Sequence, residues 1–191
     1  MASQSWCNKL QLWLPELIQI DPGETQSYDY CYIYRFFAYS KKYSSPFKYI
    51  IRAEAHKDCF AIKFYCCRHK HSDHKYSLNL NAFNVRETFK LFFCVASVIP
   101  ALLIKHPGYS FCFIGSRTYE RSGKVEAREN NQRYRVYKEI SRNLFGNNTL
   151  EFRASEKLSA GFFINKLTNE DISHAERRIV EYMYTLYNFE I

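Results

Sequence analysis

Apolar and polar positions alternate through the first half of the chain. Tyr28–Tyr39 and Phe47–His56 are dense in Tyr, Phe, Ile and Ala, the composition strands prefer. In Cys59–Arg68, Phe60, Ile62, Phe64 and Cys66 fall on one face, while Ala61, Lys63, Tyr65 and Cys67 fall on the other. Lys75–Asn81 alternates again, with Tyr76, Leu78 and Leu80 in phase. Turn residues separate these runs, so residues 28–81 read as an antiparallel meander. The segment before it is ambiguous. Residues 10–14 alternate like a strand, Trp6, Leu10, Trp13 and Leu17 suit a helix, and Pro15 disfavours helix at Leu14.

The period changes after Asn84. Asn84 and Glu87 make a capping-box start for a helix over about 84–105. Its run from Leu91 to Ile104 is apolar nearly all round, which predicts a buried core helix, and Pro100 should kink or end it. About 14 apolar residues fall short of the roughly 20 that span a bilayer, so no membrane partner is expected. Tyr109–Gly115 reads as a short central strand. A helix follows from Asn130 or Asn131 to about Leu144, then a strand pair at 149–154 and 160–166. A last helix begins near Thr168 and Asp171. The order β-β-β-β-α-β-α-β-β-α predicts an α+β fold. It would be one domain over residues 1–191, with a largely antiparallel sheet of five to seven strands covered by about three helices. Its C-terminal β-α-β-β-α unit would span about 109–188.

Composition narrows the classes. With 47% hydrophobic and 18% aromatic residues, the 191-residue chain can build a core and is not a disordered polymer. The seven cysteines are odd in number and mostly sit in apolar runs, which fits free thiols in a cytoplasmic protein. Residues 1–20 lack a basic leader and a small-residue cleavage site, so no signal peptide is expected. Neither the glycine-rich phosphate loops nor the common hydrolase motifs occur. Gly115 alone, between a strand and a helix, is too little for a phosphate loop.

The net charge of +8 concentrates the chemistry. Arg117, Arg121, Lys124, Arg128, Arg133, Arg135, Lys138 and Arg142 fall within 26 residues. Arg135, Lys138 and Arg142 share one helical face, opposite Tyr134, Tyr137, Ile140 and Leu144. Guanidinium groups bind phosphates in bidentate fashion, so Arg117, Arg121, Arg128, Arg133, Arg135, Lys138 and Arg142 are the candidate nucleic-acid-binding residues. Glu120, Arg121, Arg133 and Tyr134 are the weaker candidates for a metal-independent ribonuclease, with a carboxylate as base and arginine against the phosphate. Tyr28, Tyr30, Tyr32 and Tyr34 alternate onto one strand face, where bases could stack or a protein partner could dock. Cys67, His69, His71 and His74 are close enough in sequence to suggest zinc, although no second ligand pair completes a known framework. No other cofactor is implied.

Three stretches, Phe111-Cys-Phe-Ile-Gly-Ser116, Arg133-Tyr-Arg-Val-Tyr-Lys138 and Phe162-Phe-Ile-Asn-Lys166, resemble a group of small bacterial proteins of unassigned function. The resemblance covers roughly the C-terminal half. It implies a bacterial, cytoplasmic protein and carries no agreed active site. Together these features predict a basic nucleic-acid-binding protein, more for RNA than DNA, with a toxin-like or defence-related ribonuclease as its sharpest form. A non-enzymatic module that binds a protein partner or forms a homo-oligomer is the alternative.

Overall fold

The computed structural model describes residues 13–24, 27–77, 82–117, 125–144, 148–168 and 171–187. The strands are β1 (Glu16–Asp21), β2 (Tyr30–Ala38), β3 (Phe47–His56), β4 (Cys59–Cys66), β5 (Ser110–Ile114), β6 (Leu150–Ser155) and β7 (Ala160–Asn165). The helices are α1 (Val85–Ala96), α2 (Val98–Lys105), α3 (Gln132–Leu144) and α4 (Ile172–Tyr187). A single 3-10 turn, Cys67–His69, follows β4. The strands form one sheet in the order β1-β2-β3-β4-β5-β7-β6. Every neighbouring pair is antiparallel except β4 and β5, which run parallel. This is the expected α+β architecture.

Strand alternation sorts the side chains onto two faces. On one, Tyr34, Phe36, Ile51, Phe60 and Phe64 pack beneath Leu91, Phe92, Val95, Ile99 and Leu102 of α1 and α2, and beneath Tyr134 and Ile140 of α3. On the other, Cys59, Ala61, Cys112, Phe162 and Ile164 pack with Ala175, Ile179 and Met183 of α4. Towards β2 and β3 that second face turns polar. Glu54, only 5% exposed, accepts from Arg52 Nε at 2.9 Å and from Lys63 Nζ at 2.5 Å. Arg52 also donates to the Tyr28 hydroxyl at 2.8 Å, and Tyr28 donates to Asp21 at 2.5 Å. A buried carboxylate is tolerable only when paired, and two cations meet that condition here.

Several details differ from the sequence expectation. β1 begins just past Pro15, where helix is disfavoured, and it is an edge strand exposed along most of its length. Lys75–Ser77 is not a strand. The Lys75 and Ser77 amides donate to the Ser72 and His74 carbonyls at 3.1 and 2.7 Å, so the polar turn chemistry overrides the alternation. Residues 78–81 of that expected strand lie outside the described residues. The helix over 85–105 breaks at Ser97, three residues before Pro100. Proline lacks an N–H and crowds the carbonyl four residues back, so it settles into the first turn of a new helix. Asp171, rather than Thr168, accepts from the third amide of α4, His174 N, at 3.0 Å. The Thr168 hydroxyl instead donates to the Asn165 carbonyl.

The stretch Val85–Lys105 is long and apolar enough to cross a membrane by length and composition. Here Leu91, Cys94 and Leu102 are fully buried against the sheet. The Asn84 side chain accepts from Glu87 N at 2.9 Å, and Glu87 returns a bond to Asn84 N at 3.0 Å. Asn84→Ala is expected to cost about 1 kcal/mol by removing this cap, read as a lower urea midpoint at unchanged slope.

Candidate functional site

β4 and β5 are in register over three residues only, Cys59 with Ser110, Phe60 with Phe111 and Ala61 with Cys112. Beyond Ala61, β4 stays paired with β3, and β5 stays paired with β7. The two parallel strands therefore separate toward their C-terminal ends. A cavity of about 570 Å³ occupies the gap. Both core-facing residues (Ile62, Phe64, Phe113) and opposite-facing ones (Ala61, Lys63, Cys112, Ile114) line it. Side chains of both faces can share one cavity only if it lies in the plane of the sheet, between the strands. The Tyr137 ring from α3 fills the core side of the gap, 4.6 Å from the Phe113 ring, 4.8 Å from Phe92 and 6.4 Å from Phe64. Its phenol is buried there, which raises its pKa.

A knot of polar bonds fixes the walls. Asn131 is 1% exposed. Its Oδ1 accepts from Tyr134 N at 2.9 Å, capping α3, while its Nδ2 donates to the Gly115 carbonyl at the end of β5. The contact is so close that a Cβ on Gly115 would lie 2.6 Å from Asn131 Oδ1 and 2.8 Å from Tyr134 N. Ser159, fully buried in the turn between β6 and β7, donates its hydroxyl to the Arg128 carbonyl at 2.6 Å and accepts from Asn131 N at 3.1 Å. Its carbonyl accepts from Gly115 N at 2.8 Å. Ser159 holds φ near 50°, an uncommon conformation for serine. These three bonds over-determine it.

This knot brings three arginines to one cavity. Arg117 follows β5, Arg128 precedes the Asn131 cap, and Arg133 lies in the first turn of α3. Arg133 donates to the Tyr76 carbonyl, and Tyr76 lines the same cavity. Burial presses the Arg133 guanidinium below its ordinary pKa. Lys63 lines the β4 side, its ammonium held by Glu54, a carboxylate it shares with Arg52. The first helical amide of α3, Gln132 N, is capped by Glu126 at 2.6 Å. The cations, rather than the helix end, therefore set the field. Among the described residues, no Asp or Glu lines the cavity.

Compared with known protein families, curated proteins and solved structures, the chain matches none. The site must be judged by its geometry.

Of the seven candidate nucleic-acid residues, Arg117, Arg128 and Arg133 meet at the cavity. Arg135 is exposed and donates to its neighbour Asn130 O at 2.6 Å, and Lys138 pairs with Glu156 at 2.7 Å; neither lines the cavity. Arg121 and Glu120 lie outside the described residues, as does the side chain of Arg142. Tyr134 is fully buried in the core. Among the described residues, no three His, Cys, Asp or Glu side chains lie close enough to hold a metal ion. Cys67 is half-buried, while His69, His71 and His74 are exposed on turns. The six described cysteines are free thiols.

Lys63, Tyr76 and Tyr137 are the lining residues that sequence reasoning did not connect with the arginines. One signal was present: Arg133 and Tyr137 are four apart on a helix, so they share a face.

The alternating tyrosines form no open stacking surface. Tyr28, Tyr32 and Tyr34 are each under a tenth exposed. Tyr30 and Tyr32 instead enclose His106, with the Tyr32 hydroxyl 3.0 Å from its Nε2 and the Tyr30 hydroxyl 3.4 Å from its Nδ1. Desolvation and then Lys105 lower the His106 pKa. A lowered folded-state pKa means the neutral ring is favoured in the fold. That contribution to stability is complete above the ordinary value of 6.5 and is lost as pH falls below it. Stability should therefore decline on acidification below that pH, and His106→Gln should flatten part of the decline in paired urea titrations. Asn131→Ala should cost about 2 kcal/mol, one cap plus one buried hydrogen bond, in the same assay.

Proposed function

We propose that this protein binds nucleic acid, single-stranded RNA before duplex, through the cavity between β4 and β5. The observation that carries the proposal is the meeting of Arg117, Arg128 and Arg133 with the rings of Tyr76 and Tyr137 in one concave site. Guanidinium groups grip phosphate oxygens in pairs, and aromatic rings give an unpaired base a surface to stack on. The volume, about 570 Å³, falls within the range of small-molecule sites and suits about one nucleotide. A gap between two strands admits an unpaired nucleotide and not a duplex, which favours single strands. Free thiols support a cytoplasmic setting.

Fluorescence anisotropy with labelled single-stranded RNA, duplex RNA and single-stranded DNA tests this across salt. Single-stranded RNA is expected to bind tightest, with affinity falling as salt rises by about 0.7 logarithmic units per unit for each phosphate contact. Arg128→Gln and Arg133→Gln should each weaken binding and shallow that slope by about one contact, while Arg135→Gln should leave it alone. Binding that is absent at low salt, or indifferent to both cavity variants, would overturn the proposal.

A second reading, a protein-binding or self-associating module, is favoured by the β1 edge. Leu14 just before it is 71% exposed, and Ile18 and Ile20 within it are 42% and 52% exposed. Among the described residues β1 ends the sheet, and an apolar edge is a template for another strand. Light scattering after size exclusion would show concentration-dependent dimers that Ile18→Lys abolishes; a strict monomer at all concentrations removes self-association.

A further inference from the structure

We infer that the cavity is an end-binding pocket, made for the terminal phosphomonoester of a nucleotide. This rests on the nucleic-acid reading above and specifies what its site takes. The first argument is shape. The base of the cavity is closed where the β4–β5 ladder resumes, and the last paired residues, Ala61 and Cys112, line it while being 3% and 1% exposed. On the core side, Tyr137 is wedged against Phe113 and Phe92. On the other side, Ala61 and Cys112 belong to the cluster beneath α4 together with Leu158. A strand passing through needs a groove open at two ends, whereas a pocket closed at its base receives an end.

The second argument is charge. The exposed Arg117 stands at the open side, and Arg128 and Arg133 are half-buried within. Lys63 is held by Glu54, a carboxylate it shares with Arg52, and the three arginines bring their guanidinium groups to the lining. A phosphodiester offers two unbridged oxygens and a single negative charge. A terminal phosphomonoester offers three oxygens and up to two charges, so it can meet more than one guanidinium fork. Burial around Arg133 strengthens its pull on an anion, since charges attract more in a less polar setting. The same group is carried by a 5′-phosphorylated strand, a 3′-phosphorylated strand and a free mononucleotide, and the pocket chemistry is common to all three.

Anisotropy with one short RNA sequence in four forms distinguishes these: 5′-monophosphate, 3′-monophosphate, hydroxyl at both ends, and circular. Free adenosine monophosphate serves as competitor. One phosphorylated end should bind roughly tenfold or more tighter than the hydroxyl-ended strand, the worth of about one charge-assisted hydrogen bond. Arg133→Gln should erase that preference and Arg135→Gln should keep it, with thermal melting to confirm folding. If Arg133→Gln does not fold, Arg117→Gln at the exposed mouth should reduce the preference instead. Equal binding of circular, hydroxyl-ended and phosphorylated RNA would overturn the end pocket and leave RNA binding intact. Direct binding of adenosine monophosphate, read by calorimetry, in the absence of RNA binding would support the pocket and overturn the RNA reading. No binding of any form would overturn both.

Discussion

The structure turns on a shortage of hydrogen bonds between β4 and β5. Three paired residues join two blocks of antiparallel sheet, and past Ala61 the ladder stops. Past that point each strand keeps only its outer partner, β4 with β3 as far as Cys66 and β5 with β7 as far as Ile114. The space that results is too large for backbone to close and is walled by what arrives with α3: Tyr137 on the core side and Arg133 at the lining. The Asn131 and Ser159 bonds then hold these parts together.

Much of this was legible in the chain, for identifiable reasons. Phe47–His56 reads as a strand and is one, since both its local propensity and its burial agree. Asn84 and Glu87 form the expected capping box because capping is settled within four residues. Partner choice is different. Nothing near Cys59 says that its neighbour will be Ser110, since that pairing is set by how the α1–α2 crossover packs on the sheet. The site was half legible for the same reason. The basic region was visible, but the helical phase singled out Arg135, Lys138 and Arg142; the first two do not line the cavity and the side chain of Arg142 lies outside the described residues, while Arg133 enters it beside Tyr137. Apolar periodicity finds the buried face and does not show where a long charged side chain reaches along it.

The aromatic surplus divides in the same way. Alternation placed Tyr28, Tyr30, Tyr32 and Tyr34 on one strand face; the last three share it, while Tyr28 lies before β2 and joins Asp21 and Arg52, and under the helices the Tyr30 hydroxyl turns to Tyr109 and that of Tyr32 to His106. Tyr76 and Tyr137 instead reach the cavity, one from a turn and one from a helix. Abundance of a residue type thus says little about which copy is available to a ligand. Position relative to the gap decides it.

The short parallel ladder also orders how the molecule assembles. The hairpins β2–β3 and β3–β4 join residues close in the chain, and so does β6–β7. The β4–β5 register joins residues about 50 apart, as β5–β7 does, but β4–β5 returns the fewest paired residues for that loop-closure entropy. Contacts of this kind come late in folding. The meander and the C-terminal unit are then the two cooperative blocks, and the join between them is the last to close and the first to open. Amides of Cys59–Ala61 and Ser110–Cys112 would exchange with solvent sooner than their buried positions suggest. The cavity therefore lies on the most easily opened seam in the protein, where a ligand touching both sides would bind the two blocks into one.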